Sequence, residues 1–289
     1  MISRANFVWD SEATAKAHVH CVIVGFSFNS EQGVRQSFIY TPETVQEVQH
    51  VNAYLVDADD VFIYNRSKPI CDVPEGGIGN KPIDGGYYLF TEEEKKEFLK
   101  QEPGAEPYFR KWWGSSEFIS GTPRYCLWLG DCPAAELAKL SLCQKRIEAV
   151  RQFRLASKSA GTRKLADKPR RFHVENMPGG TSILIPKVSS EKRSYVPMGF
   201  MSPDDFCSDL VFLIPNATLY HFGVLTSSVH MAWMRTICGR LKSDYRYSIN
   251  LVYNNFPWPE NVDEKLQKQI EAAAEKILKA REEEAGASL

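Results

Sequence analysis

Long hydrophobic runs are absent from this sequence of 289 residues. No stretch approaches the about 18 uninterrupted apolar residues of a membrane-spanning helix, and residues 1–13 lack the apolar core of a secretory signal peptide. Charge of one sign is not in excess either, because the net charge is −1. A balanced total argues against a protein that binds every polyanion alike. The 43% hydrophobic content is that of an ordinary globular protein.

Cysteine pairs with a functional spacing are missing as well. The seven cysteines include no CxxC, and the closest two, Cys126 and Cys132, have five residues between them. An odd number without metal-ligand spacing argues against a disulfide framework and against a zinc site. Buried thiols in a reducing compartment are the expectation, which predicts a cytoplasmic protein.

Recognisable active-site motifs are equally scarce. The glycines of residues 75–82, EGGIGNKP, match neither GxGxxG nor GxxxxGK[ST], so they predict no nucleotide cradle. Residues 254–259, NNFPWP, lack the consecutive prolines of the catalytic tetrapeptide of amino-methyltransferases, and they indicate a rigid loop. No catalytic residue and no metal ligand is therefore assigned within this chain.

One arrangement keeps an alternative function open. Asp84, Glu93 and Lys95 follow the Asp…Glu-x-Lys order of metal-dependent nucleases, whose acids hold Mg²⁺ through oxygen ligands. In those enzymes the groups lie on adjacent strands, whereas the acids at 92–94 follow Thr91 as in the first turn of a helix. A small metal-dependent nuclease is therefore a second hypothesis, and a solvated helix face is the simpler interpretation.

The order of predicted elements favours an α+β fold. Residues 17–26, an apolar run with β-branched residues, predict a buried strand that pairs with residues 36–40. Two further strands are predicted at 181–187 and 208–215. Caps, periodicity and helix breakers predict helices at 91–102, 133–140, 141–159 and 227–239, and a last amphipathic helix with Leu266, Ile270, Ala274, Ile277 and Leu278 on one face. Strands and helices do not alternate in repeated units, which argues against a doubly wound α/β fold.

The balanced total conceals one strongly basic segment, residues 139–171. Eleven lysines and arginines stand there against Glu148 and Asp167, a net charge of +9 over 33 residues. Residues 31–105, by contrast, hold fourteen acids and seven bases. This asymmetry is typical of a protein that touches nucleic acid with one side only.

A second charged pattern lies at residues 239–248, GRLKSDYRYS. If this stretch is extended, Lys242, Asp244 and Arg246 fall on one face, and two tyrosines fall on the other and anchor it in the core. One interpretation is a surface ladder of ion pairs, worth about 0–1 kcal/mol. The other is a surface that recognises a G·C pair of DNA. The lysine would donate to guanine, and the aspartate would accept from the cytosine N4 amine.

Six stretches, taken in chain order, carry a family resemblance. They are HVNAYLVDADDVFI, GNKPIDGGYYLFTEEEK, FRKWWGSSEFISGTPRYCLWL, RIEAVRQFRLASKS, IPNATLYHFGVLTSSVHMAWMRTICGRLKSDYRYS and VYNNFPWP. Together they resemble the C-terminal half of MmeI-like (type IIL) restriction–modification enzymes and their adenine-specific DNA methyltransferase relatives. In that family one polypeptide carries a nuclease, a helical spacer, a methyltransferase that uses S-adenosylmethionine, and a target recognition domain.

The resemblance implies three parts. Residues 1–45 would be a β-hairpin remnant of the methyltransferase domain, 46–260 a mixed-sheet DNA target recognition domain with flanking helices, and 261–289 the start of a C-terminal helical region. The family places its catalytic and cofactor motifs upstream of these segments, so this chain is expected to be a fragment that is inert alone. The full-length parent would use S-adenosylmethionine, and Mg²⁺ if it carries a nuclease domain. The expected partners are double-stranded DNA and the upstream methyltransferase domain of the same polypeptide, with no membrane.

The resemblance also implies roles for individual residues. The family's recognition domains vary at the positions that match Lys242, Asp244 and Arg246, so these residues are expected to read base identity. The basic segment is expected to contact phosphates through Arg151, Arg154, Lys158, Arg163, Lys164, Arg170 and Arg171. Phe7 or Trp9 would stack on a flipped adenine in the intact enzyme, with core packing as the alternative role.

Sequence-specific DNA recognition is therefore the leading hypothesis. The small nuclease is the alternative from another class. A protein-docking module of a phage-defence system, whose basic face meets an acidic partner, is the third hypothesis.

Overall fold

The structure is a computed structural model that describes residues 2–9, 19–26 and 36–284 and divides the chain into two compact units, 1–63 and 64–289. The combination of helices with several small sheets confirms the predicted α+β class. Among the described residues, no helix has both the length and the apolarity needed to cross a membrane.

The first unit contains a four-stranded sheet. Its strands are β1 (Ile2–Trp9), β2 (Val19–Gly25), β3 (Ser37–Tyr40) and β4 (Val45–Val48). They lie in the order β2-β1-β3-β4, with β1 antiparallel to β2 and parallel to β3. The predicted pairing of 17–26 with 36–40 was therefore wrong, because β1 lies between the two strands and hydrogen-bonds to both.

Strand β2 also differs from the buried strand that its sequence predicted. Val22, Ile23 and Val24 are 42–50% exposed, so apolar side chains reach solvent on both faces of this strand. A continuous apolar run is typical of a strand covered on both faces. In the part of the chain that the structure describes, both faces of β2 remain open.

The second unit contains three small sheets among its described residues. Their strands are β5 (Gly77–Ile78), β6 (Leu89–Phe90), β7 (Phe109–Trp113), β8 (Arg124–Leu127), β9 (Ser182–Pro186), β10 (Val188–Ser189), β11 (Gly199–Met201), β12 (Phe206–Cys207), β13 (Val211–Pro215), β14 (Gly239–Leu241) and β15 (Asp244–Arg246). The strand orders are β11-β9-β13-β5, β12-β7-β8-β6 and β10-β15-β14. Strands β9 and β13 confirm the strands predicted at 181–187 and 208–215, and they pair antiparallel.

The described helices include all five predicted ones, two of them shorter than expected, and three that were not predicted, at 115–120, 160–164 and 219–225. They are α1 (Glu92–Gln101), α2 (Ser115–Ser120), α3 (Ala134–Leu137), α4 (Ser141–Leu155), α5 (Ala160–Lys164), α6 (Leu219–Leu225), α7 (Ser228–Ile237) and α8 (Glu264–Glu283). Thr91 caps α1 as predicted, and of the two serines, 227 and 228, expected as alternative caps of the helix at 227–239, Ser227 caps α7. The helix predicted at 141–159 ends at Leu155, and Ser159 instead caps α5 with its hydroxyl. The helix predicted at 133–140 is the single turn α3.

Two large hydrophobic clusters stabilise the second unit. One lies between β9, β13, α6 and α7 and includes Tyr245 and Tyr247. The other lies between β6, β7, β8 and α4, with the fully buried Trp112 and Tyr88 at its centre. The sheet β10-β15-β14 borders the first cluster, so one of its faces is fixed by the core.

Candidate nucleic-acid interface

The charged hairpin, residues 239–246, consists of β14, β15 and the turn between them. The two strands pair up to Asp244, which leaves Lys242 and Ser243 as a two-residue turn. Lys242 has a φ of 56°, the positive value that the first residue of a type II′ turn adopts. The extended run expected from 242 to 246 is therefore interrupted: Lys242 lies in the turn, whereas Asp244 and Arg246 lie on the strand. The turn was not predicted because residues 242 and 243 are not an Asn-Gly or Gly-Gly pair, the usual sequence signal of a two-residue hairpin turn.

Asp244 and Arg246 lie on the same side of the three-stranded sheet, because alternate residues of a strand share a face. The residues directly opposite them also share that face, and they are Gly239 and Leu241 on β14 and Val188 on β10. These five residues are the outer face. Arg246 is exposed, Leu241 is 51% exposed and Asp244 is half-buried. Because β15 is the central strand, its charges lie on an open surface and not along a sheet edge.

The opposite side of β15 is anchored in the core, as the alternation predicted. Tyr245 and Tyr247 are 8% and 3% exposed. The Tyr247 hydroxyl lies 3.0 Å from Nε2 of His230 on α7, and its backbone N–H donates to the Lys187 carbonyl at 2.9 Å. The guanidinium carbon of Arg240 lies 4.0 Å from the Tyr245 ring centroid. The hairpin is thus held from behind by aromatic packing and hydrogen bonds.

The carboxylate of Asp244 is oriented by a neighbouring loop. The backbone N–H of Glu191 donates to Asp244 Oδ1 at 3.2 Å. Asp244 Oδ2 accepts no hydrogen bond from any residue that the structure describes. One oxygen therefore fixes the side chain, and the other is available as an acceptor.

A cluster of charges next to Arg246 was missed by the sequence patterns. Burial lowers the pKa of Lys187; Asp209 acts against this effect, and Arg246 and Lys81 add to it. Lys81 Nζ lies 3.7 Å from Asp209 Oδ2, and Lys187 Nζ lies 4.9 Å from a neighbouring phenylalanine ring centroid. The members come from four separate segments of the chain, so no spacing rule could have associated them.

Some side chains of the basic segment are exposed to solvent, whereas others are held by hydrogen bonds within the fold. Five of the seven predicted phosphate contacts are exposed, and these are Arg151, Lys158, Arg163, Lys164 and Arg171. Arg151 has only a weak ion pair, 3.8 Å from Glu148. Arg163, on α5, donates to the carbonyl groups of residues 157 and 158, which precede that helix, at 2.8 and 2.9 Å. These side chains are placed where a phosphate could reach them.

Arg154 does not fit its predicted phosphate contact. It is fully buried, and its five N–H groups all donate to backbone carbonyl groups at 2.8–3.0 Å. The acceptors are Pro82, Ile83, Leu165, Lys168 and Arg171. A guanidinium has only five such donors, so none remains for a phosphate. The prediction failed because α4 turns this position inward, beside the inward-facing Val150.

The last two arginines of the segment have partners of their own. Arg170 is half-buried and donates to the Cys132 carbonyl at 3.2 Å. Arg171 donates to Asp131 at 3.2 Å, forms a second ion pair with Glu175, and lies 5.1 Å from the Trp128 ring centroid. Both line an open groove of about 660 Å³ between α3, α4 and residues 167–171. A phosphate contact from Arg171 would compete with these partners.

The residues of the nuclease alternative do not form an ion-binding arrangement. Asp84 is buried, and its oxygens accept the backbone N–H groups of Gly86 and Tyr88 at 3.2 and 2.7 Å. Glu93 lies exposed in the first turn of α1, and Lys95 Nζ lies 4.2 Å from a tyrosine ring centroid. Across the residues that the structure describes, no group of three His, Cys, Asp or Glu is placed to hold a metal.

Two further sequence features concern a cofactor and a flipped base. Gly77 lies in β5, and a Cβ at Gly79 would stand 2.2 Å from the Ser208 carbonyl oxygen. Gly79 therefore allows the chain to pack closely against the backbone of residue 208.

Phe7 and Trp9 belong to β1, but their side chains lie outside the described part of the chain.

Comparison with known proteins identifies the family. Residues 57–260 match the family described as "MmeI, target recognition domain". The chain is 40% identical to DNA methyltransferase A of Bacillus subtilis (strain 168) over 281 residues. This match covers 97% of this chain and 32% of that protein. It is 41% identical to the type IIL restriction–modification enzyme MmeI, solved in complex with DNA, with a TM-score of 0.88 over 100% of this chain and 39% of that chain. The chain thus spans about a third of its curated relative, and it belongs to the MmeI target recognition domain family.

Proposed function

We propose that this chain is the sequence-specific double-stranded DNA recognition module of an S-adenosylmethionine-dependent, adenine-specific DNA methyltransferase of a restriction–modification system. The observation that carries the proposal is the outer face. It offers an acceptor, Asp244, and a donor, Arg246, on one open surface whose reverse side is anchored in the core. Polar groups held on a rigid support are what recognition of base edges requires.

Lys242 and Asp244 are proposed to read one G·C pair. Guanine presents two acceptors, N7 and O6, in the major groove, and cytosine presents the N4 amine as a donor. Lys242, at the turn, would donate to guanine while the free oxygen of Asp244 accepts from cytosine. Arg246 would donate to a neighbouring guanine or to a phosphate. The Glu191 N–H on Asp244 supports this role because it fixes the carboxylate before DNA arrives.

The exposed basic side chains are proposed to position the DNA backbone. Arg151, Lys158, Arg163 and Lys164 are accessible and make few competing contacts, so they would supply affinity that depends on salt. Arg170 and Arg171 would contribute only by exchanging their present partners. Arg154 is left out of the interface and assigned to the fold.

The longer relatives support a wider proposal about the parent enzyme. Residues 1–45 would belong to its methyltransferase domain, 46–260 would recognise the target, and 261–289 would begin a helical region. S-adenosylmethionine would supply the methyl group from a site formed by other residues of the parent, with Phe7 or Trp9 as candidates to stack on the flipped adenine. The upstream methyltransferase domain is the proposed intramolecular partner.

The test is selection of random DNA duplexes by the purified chain at two salt concentrations. Wild type should enrich a motif containing a fixed G·C pair. Lys242→Glu/Asp244→Arg should change the preference at that pair alone, and the variant should bind the wild-type motif with about 1–3 kcal/mol less binding free energy. The matched control is Glu264→Lys/Lys268→Glu, which reverses an exposed ion pair on α8 and should leave the motif unchanged. Binding without any motif would reduce the proposal to a phosphate-contacting surface. Binding that DNA competitors do not displace would favour the docking module instead.

A further inference from the structure

Leu241 is an exposed apolar side chain in a charged setting. It lies next to the turn of the charged hairpin, is 51% exposed, and belongs to none of the hydrophobic clusters that the described residues form. Arg240 precedes it and Lys242 follows it. An isolated exposed leucine is common on protein surfaces, so its position relative to Asp244 is what matters.

Leu241 and Asp244 are directly opposite each other across the two strands of the hairpin. Opposite residues of an antiparallel pair extend to the same side, with Cβ atoms about 4.5–5.5 Å apart. Leu241 therefore shares the outer face with Asp244, which is proposed to read a base pair, and with Arg246. Gly239, its neighbour along β14 on that face, has no side chain to cover it.

The major groove contains one prominent apolar group, the C5-methyl of thymine. Successive base pairs are stacked about 3.4 Å apart, so a side chain about 5 Å from Asp244 would meet the adjacent pair. We propose that Leu241 contacts the C5-methyl group of a thymine in the base pair next to the one read by Asp244. This inference rests on the proposed function and adds a second chemistry, apolar contact, to the same face.

The test uses the motif obtained by duplex selection. Each thymine is replaced in turn by deoxyuridine, which removes only the methyl group and leaves the protein unchanged. One replacement, adjacent to the G·C pair that depends on Asp244, should weaken wild-type binding about fourfold, the loss expected for one buried methyl-sized group. Leu241→Ala should bind the thymine duplex about fourfold more weakly and should no longer distinguish deoxyuridine.

The control is Leu266→Ala, which shortens an exposed leucine on α8, away from the charged hairpin in sequence. This variant should keep the wild-type response to deoxyuridine. The proposal is overturned if no thymine lies next to that G·C pair, if every deoxyuridine duplex binds like its parent, or if Leu241→Ala retains the methyl preference. A loss in Leu241→Ala that is equal on all sequences would also overturn it, and would indicate a wedge between base steps. Failure to select any motif would instead refute the proposed function itself.

Discussion

At the scale of single residues, the guanidinium of Arg154 joins separate segments of the second unit through its five hydrogen bonds. One acceptor is Ile83, a β-branched residue with a φ of 49° in the left-handed region. That conformation costs about 1–3 kcal/mol and persists only when its surroundings enforce it. Arg154 therefore supports a strained turn, which explains why a basic residue is buried beside a basic surface.

Replacement of Arg154 should act on stability. Arg154→Lys leaves several buried carbonyl groups without a donor, so the free energy of unfolding should fall by about 3–5 kcal/mol. Urea titration monitored by tryptophan fluorescence measures this as a lower midpoint. Arg151→Lys, on the exposed side of the same helix, should leave the midpoint unchanged. An unchanged midpoint in Arg154→Lys together with weakened DNA binding would return Arg154 to the interface.

His230 should make the fold sensitive to acid. Burial lowers its pKa from 6.5 to about 3, so the folded chain holds the imidazole neutral while the unfolded chain binds a proton below about pH 6.5. The stability that this residue contributes is full above that pH and is lost as the pH falls toward 3, by about 1.4 kcal/mol per pH unit.

Urea titrations at about pH 7 and about pH 5 should therefore show a smaller drop in stability for His230→Gln than for wild type. Val229→Gln, at the exposed neighbouring position on α7, is the control, because it introduces the same amide without removing an imidazole and should keep the wild-type drop. An equal drop in all three proteins would assign the acid sensitivity to other groups.

At the scale of elements, α6 and α8 approach closely at Gly223. A Cβ placed there would stand 2.7 Å from the Ile270 side chain and 3.1 Å from the Ile270 carbonyl oxygen. The contact also covers Ala274, which is fully buried, while Ile270 and Leu278 pack against the first cluster. Leu266 and Ile277, predicted on the same face of α8, are 43% and 36% exposed. The buried part of the helix face is thus narrower than its sequence pattern indicated.

Gly223→Ala should destabilise the second unit, because its methyl group meets a backbone atom that cannot rotate away. The expected loss is about 1–3 kcal/mol of unfolding free energy, typical of overpacking. Gly161→Ala is a matched control in helix α5: its nearest neighbour would be 3.7 Å away, so a gain of about 0.4–1 kcal/mol is expected. Thermal unfolding that moves both variants in the same direction would contradict the close helix contact.

At the scale of the whole molecule, charge is divided between two surfaces for which different roles are proposed. The outer face carries few charges, held in place by the core, whereas the basic segment carries many exposed ones. Contacts to phosphates release counterions and make affinity depend on salt, while contacts to bases determine sequence preference. Substitutions in the two surfaces should therefore have separable effects.

Lys158→Gln/Lys164→Gln should weaken binding to all duplexes about equally and leave the selected motif intact. The slope of log affinity against log salt should become shallower by about 0.9 for each phosphate that the variant no longer neutralises. Fluorescence anisotropy with the selected and a scrambled duplex over a salt series provides the measurement. Lys268→Gln on α8 should keep the wild-type slope. A changed motif in the double variant would contradict the separation of roles.

Local patterns in the sequence determined much of the secondary structure. Thr91 and Ser227 marked helix starts because a hydroxyl cap needs only the next few backbone N–H groups. The apolar runs at 181–187 and 208–215 indicated β9 and β13, because β-branched residues favour extended backbone. Six stretches of sequence also sufficed to predict the family, which the comparisons confirm.

Tertiary structure alone decided which charges are accessible. Arg154 and Arg151 lie three residues apart on α4, yet one is enclosed by five carbonyl groups and the other faces solvent. Partners of a buried charge come from distant segments, so helical periodicity cannot identify them. The turn at Lys242, the pairing of Leu241 with Asp244, and the charges around Lys187 likewise depend on contacts between separate strands. Sequence determined the elements and their chemistry, whereas packing between elements determined which side chains remain accessible at the surface.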